Sequence, residues 1–148
     1  CNVHVAYAGT TPDAFRDPAK GKAIAIAQIG AGADVLFHAS GSTGHGVFVA
    51  ASEAHVSAIG VDSDQFDEAP DAVITSMIKR ADVAVFDAVR ATSRGELRGG
   101  MRVLGLAEEG LDYVHEGAHG AAIAPEIKAR VASLRAEIIA GRIVVPSE

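Results

Sequence analysis

Ala58-Ile59-Gly60-Val61-Asp62-Ser63-Asp64-Gln65, followed after a short acidic loop by Ile74-Thr75-Ser76-Met77-Ile78-Lys79-Arg80, decides how the rest of the chain is read. The apolar run that ends at Asp62 reads as a buried strand delivering carboxylates to a loop. The second run reads as a short strand that delivers Lys79 before a helix begins. In an open parallel α/β sheet, ligands sit beyond the carboxyl ends of the strands, so Asp62 and Lys79 point at one crevice. A carboxylate and an ammonium there suit a small polar molecule with both donors and acceptors. On spacing alone, a capped or solvated strand end is the plainer account of Asp62. Lys79 could equally neutralise the acidic loop of Asp64, Asp67, Glu68 and Asp71.

Upstream, the same rhythm repeats. Val3 to Ala8 alternates as a strand, and Gly9 ends it. A polar loop from Thr10 to Arg16 carries Phe15. Asp17-Pro18 then reads as an N-cap with proline at the first helical position, opening a helix over 19–29 that is apolar all round and expected to be largely buried. Asp34 to Ala39 is a continuous apolar run, as a central parallel strand requires. The turn Ser40-Gly41-Ser42-Thr43-Gly44-His45-Gly46 leads into a helix over 47–54. A glycine-rich strand-to-helix turn presents backbone N–H groups to an anion or a polar ligand edge. It matches neither the dinucleotide nor the P-loop fingerprint, and a plain tight turn explains it as well.

Ser57 to Val61 and Ala72 to Met77 read as the next strands, with the acidic loop Phe66 to Asp71 between them. That loop lacks the glycine and terminal glutamate of an EF-hand. A helix from about Lys79 to Thr92 gathers Ala81, Val85, Ala88 and Val89 on one face. Met101 to Leu106 reads as a further strand and Glu108 to Ala124 as a long loop. A last helix, 126–140, is opened by Pro125 and closed by Gly141, and Arg142 to Pro146 is a short extended piece. Strand and helix alternate almost throughout, which specifies an α/β layer architecture with a parallel sheet flanked by helices.

The totals narrow the function. With 148 residues the chain is about one domain, long enough for a real core. A net charge of −6 disfavours nucleic acid as a partner, because phosphate contacts need a basic face. No apolar run reaches the ~18 residues of a membrane span. The single cysteine is Cys1, which leaves disulfides out and is either the lipid-bearing residue of a bacterial lipoprotein or an accident of where the chain begins. His115-Glu116-Gly117-Ala118-His119 fits the H-E-x-x-H zinc pattern, but that chemistry needs both histidines on one rigid helix face and a third ligand. Gly110, Gly117 and Gly120 disfavour the helix, so no metal site and no catalytic residue are expected.

Several stretches, in order, carry a family resemblance: Tyr7-Ala8-Gly9, Asp17-Pro18-Ala19-Lys20-Gly21-Lys22, Gly32-Ala33-Asp34-Val35, Gly41-Ser42-Thr43-Gly44, Ile59 to Gln65, Thr75 to Arg80 and Gly141 to Pro146. Across nearly its whole length the chain resembles the basic membrane protein (BMP) family. These are the substrate-binding lipoproteins of ABC transporters that include the purine nucleoside receptors. The resemblance implies a type I periplasmic-binding-protein fold, in which two Rossmann-like lobes close on a ligand. This chain matches only the second, C-terminal lobe.

The resemblance also implies a ligand site and its partners. Phe15 matches the aromatic that stacks on a base, although about four residues are inserted ahead of it. Gly41 matches the turn that approaches the ligand, Asp62 the carboxylate that accepts hydrogen bonds from ribose hydroxyls, and Lys79 the hinge lysine. Stacking plus a few directed hydrogen bonds fixes a nucleoside without a phosphate site. The partners implied are a nucleoside-like small molecule, an ABC permease, and either the missing first lobe or another copy of the chain. No cofactor is expected, and the location is extracytoplasmic, as an anchored lipoprotein or in the periplasm. By the same resemblance, residues 80–98 would cross to the absent lobe. The apolar face of their helix would then be covered by another chain, for instance by exchange between identical subunits. The runner-up reading is a lone lobe serving as an oligomeric interaction or regulatory domain.

Overall fold

A computed structural model describes residues 2–146, apart from the side chain of Ala118. Cys1, and with it the lipid-anchor reading, lies outside the described residues. Four strands form one sheet in the order β1-β2-β3-β4, with β1 at Val35–Phe37, β2 at Ser57–Asp62, β3 at Val73–Lys79 and β4 at Leu111–Tyr113. The first three run parallel, Phe37 beside Ile59 and Asp62 beside Ile78, and β4 is antiparallel to β3. This is the expected α/β sheet, parallel in its main part.

Helix α1, Pro18–Gly30, starts where its sequence says it should. The Asp17 side chain accepts the Lys20 N–H at 2.9 Å, and Pro18 fills the first position. Helix α2, Gly44–Ala54, packs along α1. Their approach is so close that a Cβ on Gly46 would collide with the Pro18 carbonyl oxygen, so only glycine fits. Leu36 and Ala58 of the sheet meet Phe48, Ala50 and Ala51 of α2 and Ala25 of α1, and that cluster is the core. Dense contact of this kind, rather than any single bond, holds the layer together.

Five expectations need correction. The run read as a central strand, β1, lies at the edge of the sheet, with Val35 and Phe37 exposed. Helix α1 is not largely buried: only Gly21 and Ala25 are, and Ile26 is exposed. Val3 to Ala8 and Met101 to Leu106 form no strands, and Val3, Val5, Tyr7, Met101 and Val103 are exposed. Alternation supplies a strand with a face but not with a neighbour to pair with, and neither segment has a ladder partner among the described residues. The segment 108–124 is not simply a loop, because β4 and the short helix α4, Gly117–Gly120, lie within it. Three residues are too few for periodicity to reveal a strand.

Two further helices, α3 at Ala81–Ser93 and α5 at Pro125–Ile139, contain no buried residue. Val85, Phe86 and Val89 of α3 are each 63% exposed. Among the described residues no helix is long and apolar enough to cross a membrane.

Candidate ligand-binding edge

Because β1, β2 and β3 are parallel, their carboxyl ends share one edge of the sheet. The turn after β1 carries Gly41, β2 ends at Asp62 and β3 at Lys79. Adjacent strands lie ~4.8 Å apart, so these three points span about 10 Å, the scale of a small molecule. The four residues singled out in the sequence arrive there as two pairs.

Asp62 and Lys79 form the first pair. Lys79 Nζ stands 2.7 Å from Asp62 Oδ1, and both side chains are more than half exposed. An open ion pair like this contributes little to stability. Asp62 has φ +70°, one of three described non-glycine residues with positive φ. Aspartate tolerates that region better than most residues, but the conformation still has to be imposed.

Gln65 and Ser76 impose it. Gln65 Oε1 accepts the Val61 N–H at 2.7 Å, and the fully buried Ser76 Oγ accepts the Gln65 N–H at 3.0 Å. The Ser63 N–H closes on the Val61 carbonyl at 2.8 Å. The chain is thereby folded back tightly after Asp62, the last residue of β2. Sequence reasoning gives neither Gln65 nor Ser76 a role. Their only signal is their presence within the two stretches that frame the acidic loop.

Beyond Asp62 the loop is held from the side. Asp64 Oδ1 accepts the Phe66 N–H at 3.1 Å, and Asp64 Oδ2 lies 3.1 Å from His119 Nδ1. The His119 ring stacks on Phe66 with centroids 3.7 Å apart. His115 instead faces Asp112 at 3.7 Å. The two histidines of the H-E-x-x-H motif therefore serve different carboxylates.

Phe15 and Gly41 form the second pair. Phe15 ends a 3-10 turn, Pro12–Phe15, and its side chain is 53% exposed, so it does not plug the core. Gly41, at φ +56°, lies directly against it: a Cβ there would stand 3.1 Å from the Phe15 carbonyl oxygen and 3.4 Å from the Phe15 Cβ. The 3-10 turn thus seats Phe15 on the glycine loop.

His38 lies beneath that loop, 5% exposed and edge-on to Phe48 at 4.9 Å. Its Nε2 has no hydrogen-bond partner among the described residues. Burial holds its pKa below the ordinary histidine value, against the opposing pull of Gln65, Glu68 and Asp62.

Comparison with known proteins gives this edge a context. The family model for Bmp, ABC transporter substrate-binding protein PnrA-like, matches residues 1–148. A CD4+ T-cell-stimulating antigen from Listeria innocua serovar 6a is 36% identical over 152 residues, covering 90% of this chain and 42% of that protein. The ABC transporter nucleoside-binding protein BmpA of Lactococcus lactis subsp. cremoris is 35% identical, covering 99% of this chain and 44% of its own length. Among solved structures, an ABC transporter solute-binding protein from Aeropyrum pernix K1 superposes with a TM-score of 0.75 at 29% identity, over 94% of this chain and 48% of that one. The chain therefore spans less than half the length of these proteins.

Proposed function

The chain belongs to the Bmp family of PnrA-like ABC transporter substrate-binding proteins, and from that premise we propose that it is one lobe of a two-lobed receptor for a nucleoside, most readily a purine nucleoside. The observation that carries this is the pairing at the sheet edge. An exposed aromatic residue seated on the glycine turn after β1 shares the sheet edge with the half-exposed carboxylate that ends β2. Phe15 stacks on the base, Asp62 accepts from the ribose hydroxyls, Lys79 sits at the hinge, and Gly41 lets the ligand and Phe15 approach closely. A nucleoside needs no metal or cofactor for this, and nothing in the reading calls for catalysis.

A second wall is needed to close the crevice. Two shallow concavities lie beside this edge and do not include Asp62 or Phe15, one lined by His45, Phe48 and Glu68 and the other by Ile78, Arg80 and His115. Beyond Lys79 the chain leaves the sheet through α3 and rejoins it at β4, where the Arg80 N–H donates to the Gly110 carbonyl at 2.9 Å. We read residues 80–98 as the segment that crosses to the first lobe and packs the Val85, Phe86 and Val89 face against it. The receptor so formed works outside the cytoplasm and passes its ligand to an ABC permease.

Calorimetric titration with guanosine, inosine and adenosine tests the reading on this chain and on a polypeptide that joins it to a first lobe from the family. Binding by the joined form alone is expected. Absence of binding by both removes the nucleoside assignment. Without its lobe, the α3 face should drive self-association, and a stable monomer in analytical ultracentrifugation would count against that face being an interface.

A further inference from the structure

Phe15 is an exposed ring on a turn that buries none of its residues. Such a ring ordinarily wanders with its loop. Here the backbone on both sides of it is held by three consecutive residues from the turn after β1. The Thr43 hydroxyl donates to the Ala14 carbonyl at 2.7 Å and accepts the Asp17 N–H at 2.8 Å, so it both donates and accepts. The Ser42 hydroxyl donates to the Phe15 carbonyl at 2.9 Å. Gly41 supplies the van der Waals seat against the Phe15 Cβ.

Thr43 is 1% exposed, so its hydroxyl works where water does not compete and its side chain cannot change rotamer freely. The ring is thus held by its backbone and not by its own burial. A loop that needed only stability would do better to bury Phe15, which would gain the hydrophobic contribution of a large apolar side chain. Exposing the ring while fixing its backbone makes sense when the ring has to meet something. A platform ordered beforehand loses less freedom when a flat ligand lands on it.

We propose that Thr43 and Ser42 are positioning residues for ligand capture, holding the Ala14–Phe15 backbone so that the Phe15 ring presents a fixed platform to the flat face of a heteroaromatic base. The proposal rests on the nucleoside reading for its ligand and on the hydroxyl contacts for its mechanism, and the two fail separately.

The test uses the joined two-lobe form, with guanosine, inosine and adenosine as probes. Thr43→Val keeps the shape and removes the hydroxyl, and should weaken binding about tenfold. Thr43→Ser restores the hydroxyl and should bind within about twofold of the parent. Ser42→Ala lies at an exposed position that does not endanger the fold, and should weaken binding about threefold. In a Phe15→Ala background, Thr43→Val should cost no more than about a further twofold, because a residue acting through the ring has nothing left to position. Undiminished binding by both Thr43→Val and Ser42→Ala, or losses that add fully to that of Phe15→Ala, would overturn the proposal.

If the parent binds none of the three nucleosides, the ligand assignment falls and NMR of this chain decides the mechanism. Cross-relaxation between the Phe15 ring and the Gly41 α protons should persist in Thr43→Ser and vanish in Thr43→Val and Ser42→Ala. Unchanged Phe15 ring signals in both of the latter variants would refute the positioning role.

Discussion

The two halves of the chain differ in how they are held. From α1 to β3 the molecule builds its own core, and every member of the buried cluster falls between Ala25 and Val73. From α3 onward there are two long helices, neither with a buried residue, joined by coil, one short strand and the short helix α4. Both halves are written in the same alternating pattern of apolar residues. Periodicity tells a segment what shape to take and which face to turn inward, but contact with a partner decides whether that face is buried. The second half has its faces, and none is buried against another element among the described residues, in a chain whose relatives are more than twice as long.

The largest effect that could break this contrast is a pair of truncations. Phe48→Ala, at a ring 2% exposed, should cost about 3–5 kcal/mol in chemical denaturation of this chain. At dilutions that keep the chain monomeric, Phe86→Ala should change that stability by less than about 0.5 kcal/mol, because its ring touches solvent there, and become costly only when that face is covered, as on joining the first lobe. Equal losses for the two in this chain would erase the distinction.

Next in size is Asp62→Asn, which keeps a side chain tolerant of positive φ while removing the charge. Nucleoside affinity of the joined form should fall by about 10- to 100-fold, the loss of one or two charge-assisted hydrogen bonds, with thermal stability nearly unchanged. Alanine would confound the measurement, since the backbone strain at that position would be added to the lost contact.

His38 offers a pH test within the self-sufficient half. Its folded pKa lies below the unfolded value of 6.5, so at mildly acidic pH the unfolded state takes up the proton more readily. Stability should therefore fall as pH drops below about 6.5, with His38 contributing a slope of at most about 1.4 kcal/mol per pH unit. Urea denaturation of the parent and of His38→Gln between pH 7.5 and about 5 isolates that part, and identical slopes would show that His38 does not contribute. The smallest effect belongs to Lys79→Met. Its exposed pairing with Asp62 should be worth no more than about 0.5 kcal/mol to the fold, while ligand binding in the joined form still suffers.

Much of this architecture is legible in the amino-acid sequence. The strands from Val35 to Lys79, the helix starts at Asp17-Pro18 and Pro125, and the placing of Asp62 beside Lys79 all follow from local signals in neighbouring residues. The features that are not legible depend on distant partners. Thr43 reaches back to Ala14 and Asp17, Ser76 to Gln65, and His119 to Asp64. No local pattern announces such contacts. The missing strands at 3–8 and 101–106 fail for the same reason in reverse, because their alternation is genuine and their neighbour is lacking. The positive φ of Asp62 is a consequence of Gln65 folding the loop back, and an aspartate in the sequence does not declare it.

Amide hydrogen exchange tests the central contrast most directly, measured on this chain and on the form joined to a first lobe. Amides of α1, α2, β2 and β3 should exchange slowly in both. Those of α3 and α5 should exchange quickly in this chain when dilution keeps it monomeric, and become protected on joining. Protection of α3 in the isolated, monomeric chain equal to that of α2 would contradict the account, because the second half would then be stable without the lobe it is said to need.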